Sequence, residues 1–321
     1  MVEPAAPAPD APLDLAVIIP AFNAGRYLDQ ALASVAGQTR PPAVVVVADD
    51  GSEDDTVERA LAWRDRLPME VLSLGRNLGP GPARDRAIRS TRTAMLALLD
   101  ADDLLLPDHL ETMAAALERG PGLVSARELS WAPGRGIGGP RRRALPAAPE
   151  AQLAELLRRN YVNFGFFPRA LYERAGGFRD FLVGEDWDLW IRMLRTGAPV
   201  VEAPHATAMH RVRAGSLSND PARTVDYGIE VLTTALAEAG DARERAAAER
   251  GLAALRARKR YRDALALAGD GHPWRARLTA ARRPAGGGAR VAAALVALAV
   301  APRLSARIER ATRSRRVFGD G

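Results

Sequence analysis

Four short apolar runs, each followed by a helical pattern, constrain this chain more than any other feature. Leu15-Ala-Val-Ile-Ile19 is continuous and apolar, as a parallel strand buried on both faces must be. Pro20–Gly25 is a turn, and Tyr27–Val35 then carries apolar residues at helical spacing. Ala43–Ala48 is a second, β-branched run, broken by Asp49-Asp-Gly-Ser52. Asp54–Trp63 follows as a helix, with Ser52 or Asp54 as its cap. Met69–Leu74 and Met95–Leu99 are the third and fourth strands, with a helix over Ala83–Arg89 between them. Strands and helices alternating at this spacing predict an α/β fold with a mostly parallel sheet.

Beyond Asp103 the pattern loosens. Trp131–Pro149 is rich in Gly, Pro and Arg and reads as a loop, Tyr161–Phe167 as a strand, and Asp186–Leu194 as a helix. From about Pro221 the sequence turns Ala- and Arg-rich and helical, with breaks near Gly269–Pro273 and Pro284–Gly288. The expected organisation is a disordered tail over 1–12, a catalytic domain over 13–220 and a helical C-terminal extension over 221–321. The first twelve residues have neither the basic start nor the apolar core of a signal peptide. Val291–Ala301, closed by Pro302, is the only long apolar run, about half of the ~20 residues a membrane-spanning helix needs. A helix packed on the domain or lying at a membrane interface is the reading, with the arginines from Arg303 to Arg316 following it. The chain has no cysteine, which removes disulfides, thiolate nucleophiles and cysteine-held zinc and fits a reducing cytoplasm. Its net charge of +6 rests almost wholly on arginine, compatible with anionic ligands or an acidic membrane surface.

In open α/β sheets ligands sit outside the carboxyl ends of the strands, and the polar clusters fall there. Asp49 and Asp50 follow the second strand, Arg76 and Asn77 the third, and Asp100, Asp102 and Asp103 the fourth. A single acidic turn means little, because aspartate is a common turn residue; several at one sheet edge are a stronger signal. Asp100-Ala-Asp102-Asp103 suits Mg²⁺ or Mn²⁺, which bind one or two carboxylates plus substrate phosphates and neutralise a departing diphosphate. The bland alternative is a surface turn with capping aspartates before a helix at Pro107. No Gly-x-x-x-x-Gly-Lys-Ser/Thr loop is present, nor a Gly-x-Gly-x-x-Gly turn after the first strand. Both absences disfavour a P-loop NTPase and a dinucleotide-dependent oxidoreductase.

Val17-Ile-Ile-Pro-Ala-Phe-Asn23, Gln38-Thr39 and Val47-Ala-Asp-Asp-Gly-Ser52 resemble the opening of the family 2 inverting glycosyltransferases. The resemblance continues through Asn77-Leu-Gly79, Ala83-Arg84-Asp85, Leu99-Asp-Ala-Asp-Asp103, Gly176-Gly-Phe178 and Gly184-Glu-Asp-Trp-Asp-Leu-Trp-Ile-Arg192 to Gly215-Ser-Leu-Ser218. It covers about residues 15–220 and implies a GT-A fold, a Rossmann-like sheet, and a nucleotide-diphosphate sugar as donor. By that resemblance Asp50 bonds the nucleotide base, with Asp49 beside it, and Pro20 and Phe22 lie against the nucleoside. Arg84 reaches the base or phosphates, Asp100 and Asp102 form the Asp-x-Asp pair with Asp102 as metal ligand, and Asp186, next to Glu185, is the catalytic base. Without the resemblance, Glu185 and Asp186 read as acidic charge at a helix start, and Asp188 as an i,i+4 partner of Arg192.

Two departures stand out. Asp85 takes a position where many relatives have asparagine. Relatives carry a tyrosine, an arginine and then a histidine before Gly215; this chain has His210-Arg211-Val212-Arg213. Arg211 or Arg213 could then hold the diphosphate directly, while His210 reads equally as a half-buried structural residue. The expected activity is metal-dependent, inverting sugar transfer to a hydroxyl of a surface polysaccharide, glycolipid or metabolite. The expected location is the cytoplasm, with peripheral contact at the inner membrane face compatible. The alternative is a catalytically inactive nucleotide-sugar-binding scaffold on the same fold. Nucleic-acid binding lacks any interleaved aromatic pattern.

Overall fold

The computed structural model describes residues 12–120, 122–132, 136–139, 145–146, 148–213 and 221–269, with isolated positions at 296, 300, 301 and 305. The expected tail over 1–12 falls almost wholly outside the described residues. So do Gly215–Ser218 and most of Val291–Ala301 and the arginines after it.

β1 (Leu13–Ala21) is the organising strand, and Leu15 to Ile19 are fully buried, as a strand covered on both faces must be. It pairs in parallel with β2 (Pro42–Asp49) on one side and β4 (Met95–Leu98) on the other, while β3 (Met69–Ser73) extends the sheet beyond β2. The full order is β3-β2-β1-β4-β8-β6-β9-β5, with β7 (Gly136–Gly138) paired to β6. β8 (Phe166–Pro168) runs antiparallel to both β4 and β6 (Leu123–Ala132). β9 (Val200–Arg211) is parallel to β6 and antiparallel to β5 (Leu104–Leu105). Followed through these pairings, β1, β2, β3, β4, β6 and β9 all point the same way. Their carboxyl ends deliver Ala21, Asp49, Ser73, Leu98, Ala132 and Arg211 to one edge, and all later chemistry lies along it.

The helices follow from the apolar spacing. α1 (Gly25–Ala36) buries Leu28, Ala31, Leu32 and Val35 at i, i+3, i+4 and i+7. α2 (Thr56–Leu61) is shorter than its pattern predicts, and neither Ser52 nor Asp54 sits at its N-cap, which is Asp55. Asp54 instead ties two helix starts together, accepting the amides of Gly25 (3.1 Å) and Thr56 (3.1 Å), and Ser52 Oγ accepts the amide of Asn23. α3 (Pro80–Ser90) packs on β1 and β2, and α4 (His109–Glu118) on β9 and β6. His109 opens α4 fully buried, its Nδ1 3.0 Å from Thr207 Oγ1 and its Nε2 without a hydrogen-bond partner. Burial pushes its pKa down to about 4.

The strand expected over Tyr161–Phe167 is corrected to β8. Phe164 has a left-handed backbone, φ 47°, that breaks the pleat. Gly165 lies so close to Trp190 that a Cβ there would stand 2.4 Å from the indole ring. The loop expected over Trp131–Pro149 is partly regular: Trp131 and Ala132 complete β6, β7 pairs back on them, and α5 (Pro149–Leu156) begins at its end. α6 (Arg169–Arg174) and α7 (Glu185–Arg195) follow.

Contacts divide the chain into two compact units, one of Met1–Leu156 with Asn160–Asn219 and one of Leu157–Arg159 with Asp220–Gly321. In the second, α8 (Pro221–Ala237) packs on α9 (Ala242–Gly269), burying Val231, Leu232 and Ala235 with Ala247, Ala248 and Leu252. No helix among the described residues is long and apolar enough to cross a membrane.

Candidate active site

At the end of β2 the chain must turn sharply. Gly51 provides the turn with φ 80°, and a Cβ there would stand 2.8 Å from the Arg76 backbone, so only glycine fits. Asp49 accepts the Ser52 amide across this turn (3.2 Å). Asp50 is 3% exposed, and its two oxygens accept the amides of Leu78 (2.8 Å) and Gly79 (2.7 Å). Burial raises its pKa, and those two amides oppose the rise. Gly79 (φ 93°) is the residue before α3, so Asp50 fixes where that helix starts. Pro20 pairs with Ala48 past the last β1–β4 pair, Ile18 with Leu98, where its missing N–H leaves that ladder intact. Phe22 follows β1 with 47% of its surface exposed, unusual for so large an apolar side chain.

α3 carries Arg84 inward. The residue is 7% exposed, and its guanidinium joins two segments: Nη1 donates to Glu185 and Nη2 to Asp100, over the Phe178 ring at 5.8 Å. Its Nε is buried without a partner. Burial alone would lower the Arg84 pKa, but Asp100, Glu185 and Asp186 outweigh it and the net shift is upward. Asp85, next along, serves α6 instead, accepting the Tyr172 hydroxyl and Arg89 Nε.

α7 starts at Glu185 after Gly184 (φ 86°), so Glu185 and Asp186 occupy its first turn. Trp187 donates to the Leu156 carbonyl (2.8 Å), and Trp190, fully buried, meets Phe167 edge-on at 5.5 Å. Asp188 accepts Arg192 Nε (2.9 Å) and Nη2 (2.6 Å) one turn on, the structural pairing that the spacing implies. Burial raises Glu185 to about 7, against the pull of Arg84. Burial raises Asp186 as well, while Arg84, the Trp187 amide and the Asn160 amide pull it down. Asn160 stands one residue before the run that reads as a strand, and no motif marks it. Its Oδ1 accepts the Val162 amide (3.2 Å), which turns its Nδ2 toward Asp186 Oδ2 at 3.0 Å.

The turn after β4 meets the end of β9. Asp103, 4% exposed, accepts the Arg211 amide (2.7 Å) and lies 3.2 Å from His210 Nδ1. The Asp103 hydrogen bond is the largest influence on His210 and raises its pKa to about 9, so the imidazole is the cationic partner. Arg211 is only 3% exposed. It donates from Nε to the Asp102 carbonyl (2.6 Å) and from Nη2 to Gln30 Oε1 (2.7 Å), between the Trp131 ring at 4.2 Å and the Tyr27 ring at 5.0 Å. Arg211 is thus a strut between the turn after β4, β6, β9 and α1. Arg213, two residues on and 34% exposed, donates from Nε to Asp102 Oδ2 at 2.5 Å.

The donor set suits a hard cation only in part. Among the described residues no three carboxylate or imidazole groups converge as metal ligands. Asp102 keeps Oδ1 beside the oxygen that Arg213 holds, and an ion using one or two carboxylates plus substrate phosphates fits that arrangement.

The sequence profile of "Glycosyl transferase family 2" matches residues 16–174. Succinoglycan biosynthesis protein ExoU of Rhizobium meliloti is 31% identical over 232 residues, 67% of this chain and 67% of that protein. The chain belongs to glycosyl transferase family 2. ExoO of the same organism, also a succinoglycan biosynthesis protein, is 29% identical over 231 residues; the match spans 66% of this chain and just under two thirds, 64%, of that protein. Two solved structures share the fold. Staphylococcus aureus TarS 1–349 in complex with UDP-GlcNAc has a TM-score of 0.60 at 19% identity, over 94% of this chain and 91% of that one. Mannosyltransferase PcManGT of Pyrobaculum calidifontis, in complex with GDP-Man and Mn²⁺, has a TM-score of 0.60 at 21% identity, over 98% and 83%. The architecture is thus that of GT-A glycosyltransferases, a mixed α/β fold around a mostly parallel sheet.

In this family 2 glycosyltransferase one sheet edge brings together Asp49, Asp50, Arg84, Asp100, Asp102, Arg213, Glu185 and Asp186. The family's sequence signals reached all of these residues. They did not reach Tyr27, Gln30 and Trp131, which lock Arg211. The β6–β9 register, Trp131 opposite Arg211, is what joins them.

Proposed function

We propose that the chain transfers a sugar from a nucleoside-diphosphate donor to an acceptor hydroxyl with inversion at the anomeric carbon, in the assembly of a polysaccharide or glycolipid. The observation that carries this reading is the linkage through Arg84, which joins the Asp100 turn to the Glu185–Asp186 helix start. One guanidinium thereby couples the proposed donor edge to the proposed base. The names of the succinoglycan relatives support polysaccharide assembly, and the nucleotide sugars in the TarS and PcManGT complexes support the donor class.

The nucleoside lies against Pro20 and Phe22, over the Asp49–Asp50 turn. Asp186 takes the proton of the acceptor hydroxyl as it attacks in line. Burial makes this carboxylate more basic than an exposed aspartate, and general-base help of this kind is worth about 10²–10⁴-fold. Glu185 keeps Arg84 in place rather than moving a proton. Mg²⁺ or Mn²⁺ held through Asp102, with Asp100 alongside, would supply Lewis-acid neutralisation of the leaving diphosphate. Arg213 is the side chain of the pair at the end of β9 that can meet the phosphates.

A thermal-shift series with UDP-, GDP- and dTDP-sugars, with and without Mn²⁺, tests the donor site. The expected result is a metal-dependent rise in Tm with one nucleotide class, by mass action on the native state, lost in Asp102→Ala. No rise with any nucleotide at saturating concentration would abandon the donor site and favour an inactive scaffold.

A further inference from the structure

The acidic turn after β4 is already neutralised from within. Asp100 is paired with Arg84, Asp103 with His210 and the Arg211 amide, and Asp102 Oδ2 with Arg213 Nε. The last pair differs from the others. Each of the first two pairs has one almost wholly buried member, Arg84 or Asp103, whereas in the third both are partly open, Arg213 at 34% and Asp102 at 20%; Arg213 lies over the Tyr27 ring at 5.3 Å, beyond Arg211, the final residue of β9. A guanidinium and a divalent cation on one carboxylate repel each other, and the turn offers too few protein ligands to hold a cation against that repulsion.

We propose that Arg213 is the resident counter-ion of Asp102 and that donor binding exchanges it, so that cation and donor bind as a coupled pair. This rests on the donor-site reading above. The diphosphate brings both things the exchange lacks. Its oxygens complete the coordination of the cation, and they offer the released guanidinium a charge-assisted, bidentate partner better matched to its planar fork than a shared carboxylate. Arg213 thus guards Asp102 against free metal and then joins the phosphates. It works as a binding-order residue, without touching the anomeric carbon.

Mn²⁺ binding followed by EPR, with no nucleotide present, isolates the first half of this exchange. Arg213→Gln is expected to bind Mn²⁺ about tenfold more tightly than the wild type, the scale of one charge-assisted hydrogen bond. Arg213→Lys, which keeps the charge, should stay near the wild type, and the gain should vanish in Arg213→Gln/Asp102→Asn. Added UDP or GDP should tighten Mn²⁺ binding in the wild type by a larger factor than in Arg213→Gln. An unchanged or weaker Mn²⁺ affinity in folded Arg213→Gln overturns the proposal, as does a gain that survives in the double variant. A gain in Arg213→Gln with no nucleotide response in any form leaves the guarded carboxylate standing and sinks the donor-site reading instead.

Discussion

Two acid–arginine clusters lie along the same sheet edge, and they are built to opposite ends. In the first, Arg84 is clamped from both sides by Asp100 and Glu185, with 8% of its side chain exposed. In the second, Arg213 holds Asp102 from the end of a strand, with 34% exposed. The pairing chemistry is the same in both, and solvent makes the difference. Breaking a buried pair strands an uncompensated charge, while a partly wet one trades a protein partner for water or a ligand at little cost. Arg84 is therefore suited to fixing geometry and Arg213 to exchanging partners.

The sharpest test of the first cluster is chemical. With the nucleotide sugar that the thermal-shift series identifies, Asp186→Asn should lower kcat by about 10²–10⁴-fold while the donor-induced shift in Tm persists. Steady-state turnover beside the melting curves separates the two. Retained turnover would remove Asp186 from the base role and leave the cluster purely structural. Next in size is Arg84→Met, which leaves the buried Glu185 carboxylate without its cation, while the half-exposed Asp100 falls back on water. A loss of about 3–5 kcal/mol is expected, read from urea unfolding midpoints. A loss nearer that of an exposed pair would erase the contrast between the clusters.

How far this contrast can be read from sequence depends on how local its parts are. β1 to β4 are legible because each is a continuous apolar run, and the carboxylates follow directly on the strand ends. Trp187 and Trp190 mark the buried side of α7 by their spacing alone. The strut around Arg211 is not legible, because Tyr27 and Gln30 of α1, Asp103, Trp131 and Arg211 come from four segments joined only by the tertiary fold. Nor does a sequence motif distinguish the buried Arg211 from the wetter Arg213, two residues apart. That distinction comes from where β9 ends and from the indole ring of Trp131 standing opposite one of them. The Asn160–Asp186 bond depends on a turn, and β-like residues over Tyr161–Phe167 disguise it as a strand.

His109 offers a control in which burial outweighs the one nearby carboxylate, Asp108. Its pKa is pushed down from 6.5 to about 4. The unfolded chain therefore takes up a proton as pH falls through 6.5, while the native state stays neutral until about 4. Stability from this residue is full above 6.5 and is lost progressively down to about 4. At 1.36 kcal/mol per pKa unit that is about 3 kcal/mol. His109→Gln should flatten the fall in urea midpoint between pH 7 and 4.5 by a comparable amount. An equally steep fall in the variant would move the acid sensitivity to another group.

The smallest expected effect closes the comparison from the other side. Arg213→Met removes the same guanidinium group that makes Arg84→Met costly, yet Asp102 keeps access to water once its partner is gone. The loss should stay within about 1 kcal/mol, as for other partly exposed ion pairs, and should shrink further as salt screens the wild-type pair. Urea midpoints of Arg213→Met and Arg84→Met, taken side by side at low and high salt, put both clusters on one scale. If the two variants lose equal stability and neither responds to salt, Arg213 is as fixed as Arg84, and an exchange of partners at Asp102 has no physical basis. A small, salt-sensitive loss leaves the guanidinium held weakly enough for a diphosphate to take it.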